Sequence, residues 1–174
     1  MRRATCDILL YSSIDAPIVG LLWLAATEHG LCAVAFGGDE AVFVAGLERT
    51  WGLHPLHDKG ALAEAKEQID DYLSGKRQSF DLRLDLRPLS PFERQTLEAT
   101  LSIPRGQTLS YKALAGRIGN PKAVRAVGGV EAGNPIPIII PCHRVVGSDG
   151  SLTGYGGGIH VKQALLRLEG VTGV

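Results

Sequence analysis

Only three cysteines, Cys6, Cys32 and Cys142, occur in 174 residues. They are too few and too odd in number for a disulfide framework, so the thiols are read as reduced and the chain as intracellular, in the cytoplasm. No run approaches the roughly eighteen apolar residues that a membrane helix needs. The longest apolar run, Pro135 to Pro141, is far shorter, and no membrane partner is expected. Arg2 and Arg3 lead into a short strand-like segment without a small-residue cleavage site, which speaks against a signal peptide. Net charge is absent as well, with 18 Lys and Arg against 18 Asp and Glu. What is present is globular: 45% hydrophobic and 21% charged residues exclude disorder, collagen and a coiled coil. The length suits one ordinary domain or two small ones sharing a core.

The zero net charge hides a division. Residues 1–86 hold eight Lys and Arg and thirteen Asp and Glu, a net of −5, and residues 87–174 hold ten and five, a net of +5. Such a split suggests that the C-terminal half faces a polyanion. Short runs rich in Val, Ile, Leu and aromatics at Asp7–Tyr11, Gly20–Ala26 and Leu31–Phe36 are punctuated by turn residues and read as hairpins of an antiparallel sheet. Asp39–Thr50 and Gly60–Leu73 read as helices, and Ser79–Leu86 alternates apolar and charged residues like a half-buried strand. A boundary at Arg87-Pro88-Leu89 then divides an N-terminal domain, 1–86, from a C-terminal domain, 87–174. The fold class is α+β.

The second half opens on Ser90-Pro91-Phe92-Glu93, which has the form of a capping box with proline in the first turn, before a helix to about Leu101. Ser110 can cap a second helix, Tyr111–Ile118, and Asn120-Pro121 starts a third that runs to about Ala132. The last two have the outline of a helix-turn-helix, although spacing alone favours an ordinary helical hairpin. The third helix carries Ala123, Ala126, Gly128, Gly129 and Ala132, with Lys122 and Arg125 as its cations. Small side chains let a backbone come close to another surface, whether a narrow minor groove or the protein's own core.

Chemistry concentrates further on. The run Ile136-Pro137-Ile138-Ile139-Ile140 leads into Pro141-Cys142-His143-Arg144-Val145. Prolines stiffen the run, and the cysteine at its end is expected to be shielded and to have its pKa lowered by the basic pair behind it. A glycine-rich stretch, Gly154-Tyr155-Gly156-Gly157-Gly158, follows and permits close backbone approach.

The ordered set Ile103-Pro104-Arg105-Gly106, Ser110-Tyr111, Arg125 to Gly129, Asn134 to Val145, Gly154 to Gly158 and Leu168-Glu169-Gly170 resembles the O6-alkylguanine-DNA alkyltransferases. The resemblance covers essentially all of residues 88–174. It is weaker in the first half, through Pro17–Leu24 and Tyr72–Gly75. It implies an N-terminal ribonuclease-H-like sheet with helices and a mostly helical C-terminal domain holding a helix-turn-helix and the reactive cysteine. Cys142 would accept the alkyl group once and irreversibly. His143 would draw off the thiol proton through a water, and Glu169 would orient that base. Tyr111 would hydrogen-bond guanine and protonate it, and Asn134 would hold the turn beside the cysteine. Arg125 would fill the space left by a flipped base. Lys122, Ala126, Gly128, Gly129 and Ser110 would belong to the DNA face, and backbone groups at Val145, Tyr155, Gly156 and Gly157 would read the guanine. The implied partner is double-stranded DNA containing O6-alkylguanine, met by a monomer. The rival is a non-catalytic DNA-binding or damage-sensing protein on the same helices, against which Cys142 itself argues.

Two departures from the family pattern stand out. Gly156 has no side chain to offer, and Glu131 puts an acid near the end of the helix that should meet phosphates. Some relatives hold a structural zinc. Here Cys6, Cys32 and His29 are a partial echo, with His54 or His57 as the only candidate fourth ligand, and no cofactor is expected.

Overall fold

The computed structural model describes residues 8–173. Strands β1 (Leu9–Ala16), β2 (Gly20–Thr27) and β3 (Gly30–Phe36) form an antiparallel meander, and the two-residue β4 (Leu56–His57) adds in parallel to β1, giving the order β3-β2-β1-β4. The first strand runs well past the expected end at Tyr11. Ser12, the next residue, is buried and accepts a hydrogen bond from Lys66 Nζ at 2.6 Å, so its hydroxyl is satisfied inside the sheet.

Helix α1 (Glu40–Trp51) starts where Asp39 accepts the Ala41 amide at 2.7 Å and ends at Gly52, whose left-handed backbone returns its N–H to Glu48. Helix α2 (Ala63–Leu73) packs on β1. The stretch Ser79–Leu86 is not a sheet strand. It is an extended strap joined to the sheet by a single bridge: Leu31 N–H donates to Arg83 O and Asp85 N–H to Leu31 O, both at 2.8 Å. Its alternation reflects one apolar face lying on the core, where Phe80, Leu82 and Leu84 pack without a neighbour to complete a ladder.

In the second half, α3 (Pro91–Leu101) has the expected capping box between Ser90 and Glu93. A two-residue β5 (Leu109–Ser110) precedes α4 (Tyr111–Arg117), capped by Ser110, and α5 (Val124–Ala132) follows after a turn at Gly119. Helix α5 begins at Val124, not at Pro121. The residues before it form a turn in which Ala123 N–H donates to Asn120 O. A 3-10 turn at Cys142–Arg144 leads into β6 (Val145–Val146), which pairs with β5, and α6 (Ile159–Leu168), whose start the sequence did not mark, follows.

The largest core cluster crosses the middle of the chain. Leu22, Leu24 and Val34 of the sheet and Ile69 and Tyr72 of α2 meet Leu97 of α3, Ile136, Ile138 and Ile140 of the apolar run, and Leu165 of α6. Each of these aliphatic side chains contributes about 1.5–3 kcal/mol by leaving water. Ile138 is fully buried yet sits at φ +75, a conformation that costs a β-branched residue about 1–3 kcal/mol and is held by the packing around it. Among the described residues, no helix is long and apolar enough to cross a membrane.

Candidate active site

The apolar run is anchored at both ends. Val34 N–H donates to Pro135 O at 2.8 Å, tying the run to the edge of the sheet. Asn134 then clamps it: its Nδ2 donates to Ile140 O at 2.9 Å and its Oδ1 accepts from Ile136 N–H at 3.0 Å. Cys142 follows with its N–H on Ile140 O and its side chain only 6% exposed. Burial pushes the thiol up to about 12, and the Asn134 amide and Lys162 offset only part of this. The sequence expectation of a lowered pKa is therefore overturned. The neighbouring cations do not serve the sulfur: Arg144 is committed to Glu169 and to Ile103 O, and His143 turns to Glu169. At neutral pH the group is a thiol and needs a base.

That base has a defined proton position. His143 is fully buried, and its Nε2 lies 2.6 Å from Glu169 Oε1. Burial alone would raise the Glu169 carboxyl. Bonds from His143, Arg144 and Tyr72 outweigh it and hold the group well below the carboxylate range. Burial also pulls His143 below its ordinary value, against the opposing effect of Glu169. A neutral imidazole facing an ionised carboxylate must carry its proton on Nε2, which leaves Nδ1 as a buried acceptor with no protein partner. Glu169 is further fixed by Arg144 Nε at 2.9 Å, by the Gly106 amide at 3.2 Å and by the Tyr72 hydroxyl.

Cys142 opens onto a cleft of about 480 Å³ between Tyr111 of α4, Gly128, Glu131 and Ala132 of α5, and the loop Thr153–Gly156. Tyr111 is half-buried, and its hydroxyl accepts from Thr153 Oγ1 at 2.9 Å. A larger cavity of about 660 Å³ lies by Leu10, Ala26, Leu62 and Leu82, but neither a thiol nor an imidazole lines it.

The structure thus gathers Cys142, Tyr111, Gly128, Tyr155 and Gly156 around one cleft, with Asn134, His143 and Glu169 supporting the cysteine from behind. Arg125 and Lys122 are exposed, and Arg125 shares an α5 face with Gly128 and Ala132 through i, i+3, i+7 spacing. Ala126 and Gly129 do not reach this cleft; they line a separate depression with Ser90 and Phe92. Ser110 is occupied as the α4 cap, accepting from Ala113 N–H at 3.1 Å. The Val145 carbonyl already accepts from Lys162 Nζ at 2.6 Å. Gly157 lies against Phe36 of β3, where an added Cβ would come within 2.9 Å of the ring. Its smallness is explained by packing between the two halves. No internal neighbour crowds Gly128 or Gly129, since an added Cβ would meet Tyr111 at 3.9 Å in the first case and open space in the second.

Sequence reasoning missed Lys162. It is completely buried on α6, its amine bonded to the Val145 carbonyl and, at 3.4 Å, to Thr153 O, and burial lowers its pKa. Nothing local in the sequence marked this lysine as internal. The sequence also left open which way Glu131 points, and the structure turns that side chain inward. Of the residues weighed for zinc, Cys6 lies outside the described residues. Cys32 is buried beside Asp85, His54 bonds Glu48, and His57 packs on Tyr11.

Residues 9–86 match the 6-O-methylguanine DNA methyltransferase ribonuclease-like domain, and residues 91–171 match the DNA-binding domain of the same proteins. The chain belongs to the 6-O-methylguanine DNA methyltransferase family. The methylated-DNA–protein-cysteine methyltransferase of Mycobacterium tuberculosis is 43% identical over 162 residues, covering 91% of both chains. The protein of the same name from Methanosarcina barkeri is 42% identical over 92% of this chain and 97% of its own. A crystal structure of Mycobacterium tuberculosis OGT in complex with DNA superposes with a TM-score of 0.79 at 43% identity, over 92% of each chain. The family's ribonuclease-like half corresponds here to the sheet with α1 and α2, and its DNA-binding half to α3–α6 with the cleft.

Proposed function

We propose that this chain repairs DNA by direct reversal, taking the alkyl group from O6 of guanine onto Cys142. The observation that carries the reading is the buried Cys142 thiol backed by a neutral His143 whose free nitrogen is Nδ1 and whose other nitrogen is held by ionised Glu169. In the proposed reaction the thiol proton passes through a water to His143, and Glu169 stabilises the imidazolium that forms. Sulfur attacks the alkyl carbon as the carbon–O6 bond breaks, and Tyr111 gives guanine the proton it needs to leave as the neutral base. The thioether is stable, so each molecule reacts once. A stacked base hides its O6 substituent, so the base must be flipped into the cleft, with Arg125 filling the space left behind and Lys122 meeting phosphate. Duplex DNA bearing O6-alkylguanine is thus the partner, met by a monomer in the cytoplasm.

Intact-mass measurement after mixing with O6-methylguanine duplex tests this. One methyl per chain on the peptide containing Cys142 is expected, and none in Cys142→Ser. Several turnovers per molecule, or methylation elsewhere, would overturn the assignment.

A further inference from the structure

Glu131 is the one acid among the described residues that line the cleft, and the mechanism gives it no task. It is 5% exposed, yet no cation among the described residues pairs with it. Lys162, the positive charge facing it, spends its amine on the Val145 and Thr153 carbonyls. One carboxyl oxygen meets Thr100 Oγ1 at 2.6 Å, and the other is buried with no hydrogen-bond partner. The Thr100 hydroxyl also lies 3.0 Å from Thr96 O, and it has a single proton. It can donate to an ionised Glu131. Alternatively, it can donate to Thr96 O while a protonated Glu131 donates to it. The surroundings accept both charge states, which suits a carboxyl that burial raises to about 7 against the relief from Thr100 and Lys162.

Transfer to Cys142 requires the O6 substituent to stand against the sulfur, and Glu131 and Cys142 wall the same cleft. The charge of the substituent therefore enters the field of Glu131 in a poorly hydrated space. Resting on the alkyl-transfer reading, we propose that Glu131 determines substituent specificity: its carboxylate disfavours O6 groups bearing negative charge and favours groups bearing a hydrogen-bond donor or positive charge. An anionic substituent would leave two carboxylates facing each other. A cationic one would supply the partner that the unpaired oxygen lacks.

Duplexes carrying O6-methyl-, O6-carboxymethyl- and O6-(2-aminoethyl)guanine test this through the rate of Cys142 alkylation at pH 6 and pH 8. Rates are taken relative to methyl, so that the reactivity of the thiol cancels. The groups facing Glu131 are Cys142 on the 3-10 turn, Tyr111 on α4, Lys162 on α6 and the uncharged Thr100 on α3. Cys142 and Tyr111 titrate above this window, both raised by burial.

Between pH 6 and pH 8 the relative rate for carboxymethyl should fall several-fold and that for aminoethyl should rise. Glu131→Gln keeps an acceptor for Thr100 and loses the charge. At pH 8 it should raise the carboxymethyl ratio about tenfold, as one charge acting over a few ångströms predicts, and flatten both pH trends. Ratios unchanged by Glu131→Gln would overturn the proposal. So would a pH trend that persists in the variant, because that trend would belong to Lys162. Should the variant not fold, flat wild-type ratios between pH 6 and pH 8 would overturn it equally. Failure of methyl transfer from every duplex is a separate result, which would remove the alkyl-transfer reading itself.

Discussion

Glu169 closes the chain's last helix and receives hydrogen bonds from His143, Arg144, Tyr72 and Gly106, so one carboxylate joins α2, the loop before β5 and the active-site turn. Replacing it by Gln removes the charge that Arg144 is buried against, and breaking such a pair costs about 3–5 kcal/mol. The acid behaviour follows from sign. The folded Glu169 carboxyl lies below its ordinary 4.5, so its stabilisation is complete above that value and lost as pH falls further. Folded His143 lies below its ordinary 6.5, so protons bind the unfolded chain first and stability also declines as pH falls through 6.5. Glu131, held near 7 against its ordinary 4.5, takes up a proton on folding and offsets the His143 loss. Denaturant midpoints should therefore change little between pH 8 and about 4.5 and fall below it. Glu169→Gln should be weaker throughout and fall less steeply there, where Asp85 and Glu93 still contribute. At this scale the sequence made Cys142, His143 and Glu169 legible through their order along the chain. The pKa of the cysteine was not legible, because two adjacent basic residues say nothing about where their charges are spent.

Helix α5 separates two tasks along its faces. Gly128 and Ala132 line the cleft, with Arg125 on the same face by i, i+3, i+7 spacing, and Ala126 and Gly129 lie toward α3. If Arg125 replaces a flipped base, its loss matters only where there is a stack to replace. Arg125→Ala should slow alkylation by O6-methylguanine duplex about tenfold or more, since unstacking costs a few kcal/mol, and should leave reaction with the free modified base nearly unchanged. Tyr111→Phe should slow both. Equal slowing of both substrates by Arg125→Ala would mark that residue as part of the fold. Elements were readable wherever caps and turns are local: Ser90 and Ser110 both act at the helix starts expected of them. They were misread where a distant partner decides. Ser12 continues a strand because Lys66 reaches it, and Ser79–Leu86 has strand periodicity without a second neighbour to pair with. An added Cβ at Gly30 would lie 2.3 Å from Arg83 O, so that one bridge depends on a glycine.

Charge operates at the scale of the whole molecule. The +5 half carries the exposed Lys122 and Arg125, and affinity for duplex DNA should fall steeply with salt as counterions are released. Lys122→Ala should weaken binding to any sequence alike and lower the salt slope by about one in a titration series. A slope unchanged by the substitution would remove Lys122 from the phosphate contacts. That asymmetry was visible in composition. The shared core was not, because no local pattern announces that Val34 will hold Pro135 or that Phe36 will lie on Gly157. This seam also bears on inheritance. Phe36 packs against Tyr155 in the cleft loop with ring centroids 5.3 Å apart, while it leaves Gly157 no room for a side chain. A chimera that takes one half from a relative should therefore shift the loop beside Cys142 where the two parents differ at Phe36 or Gly157.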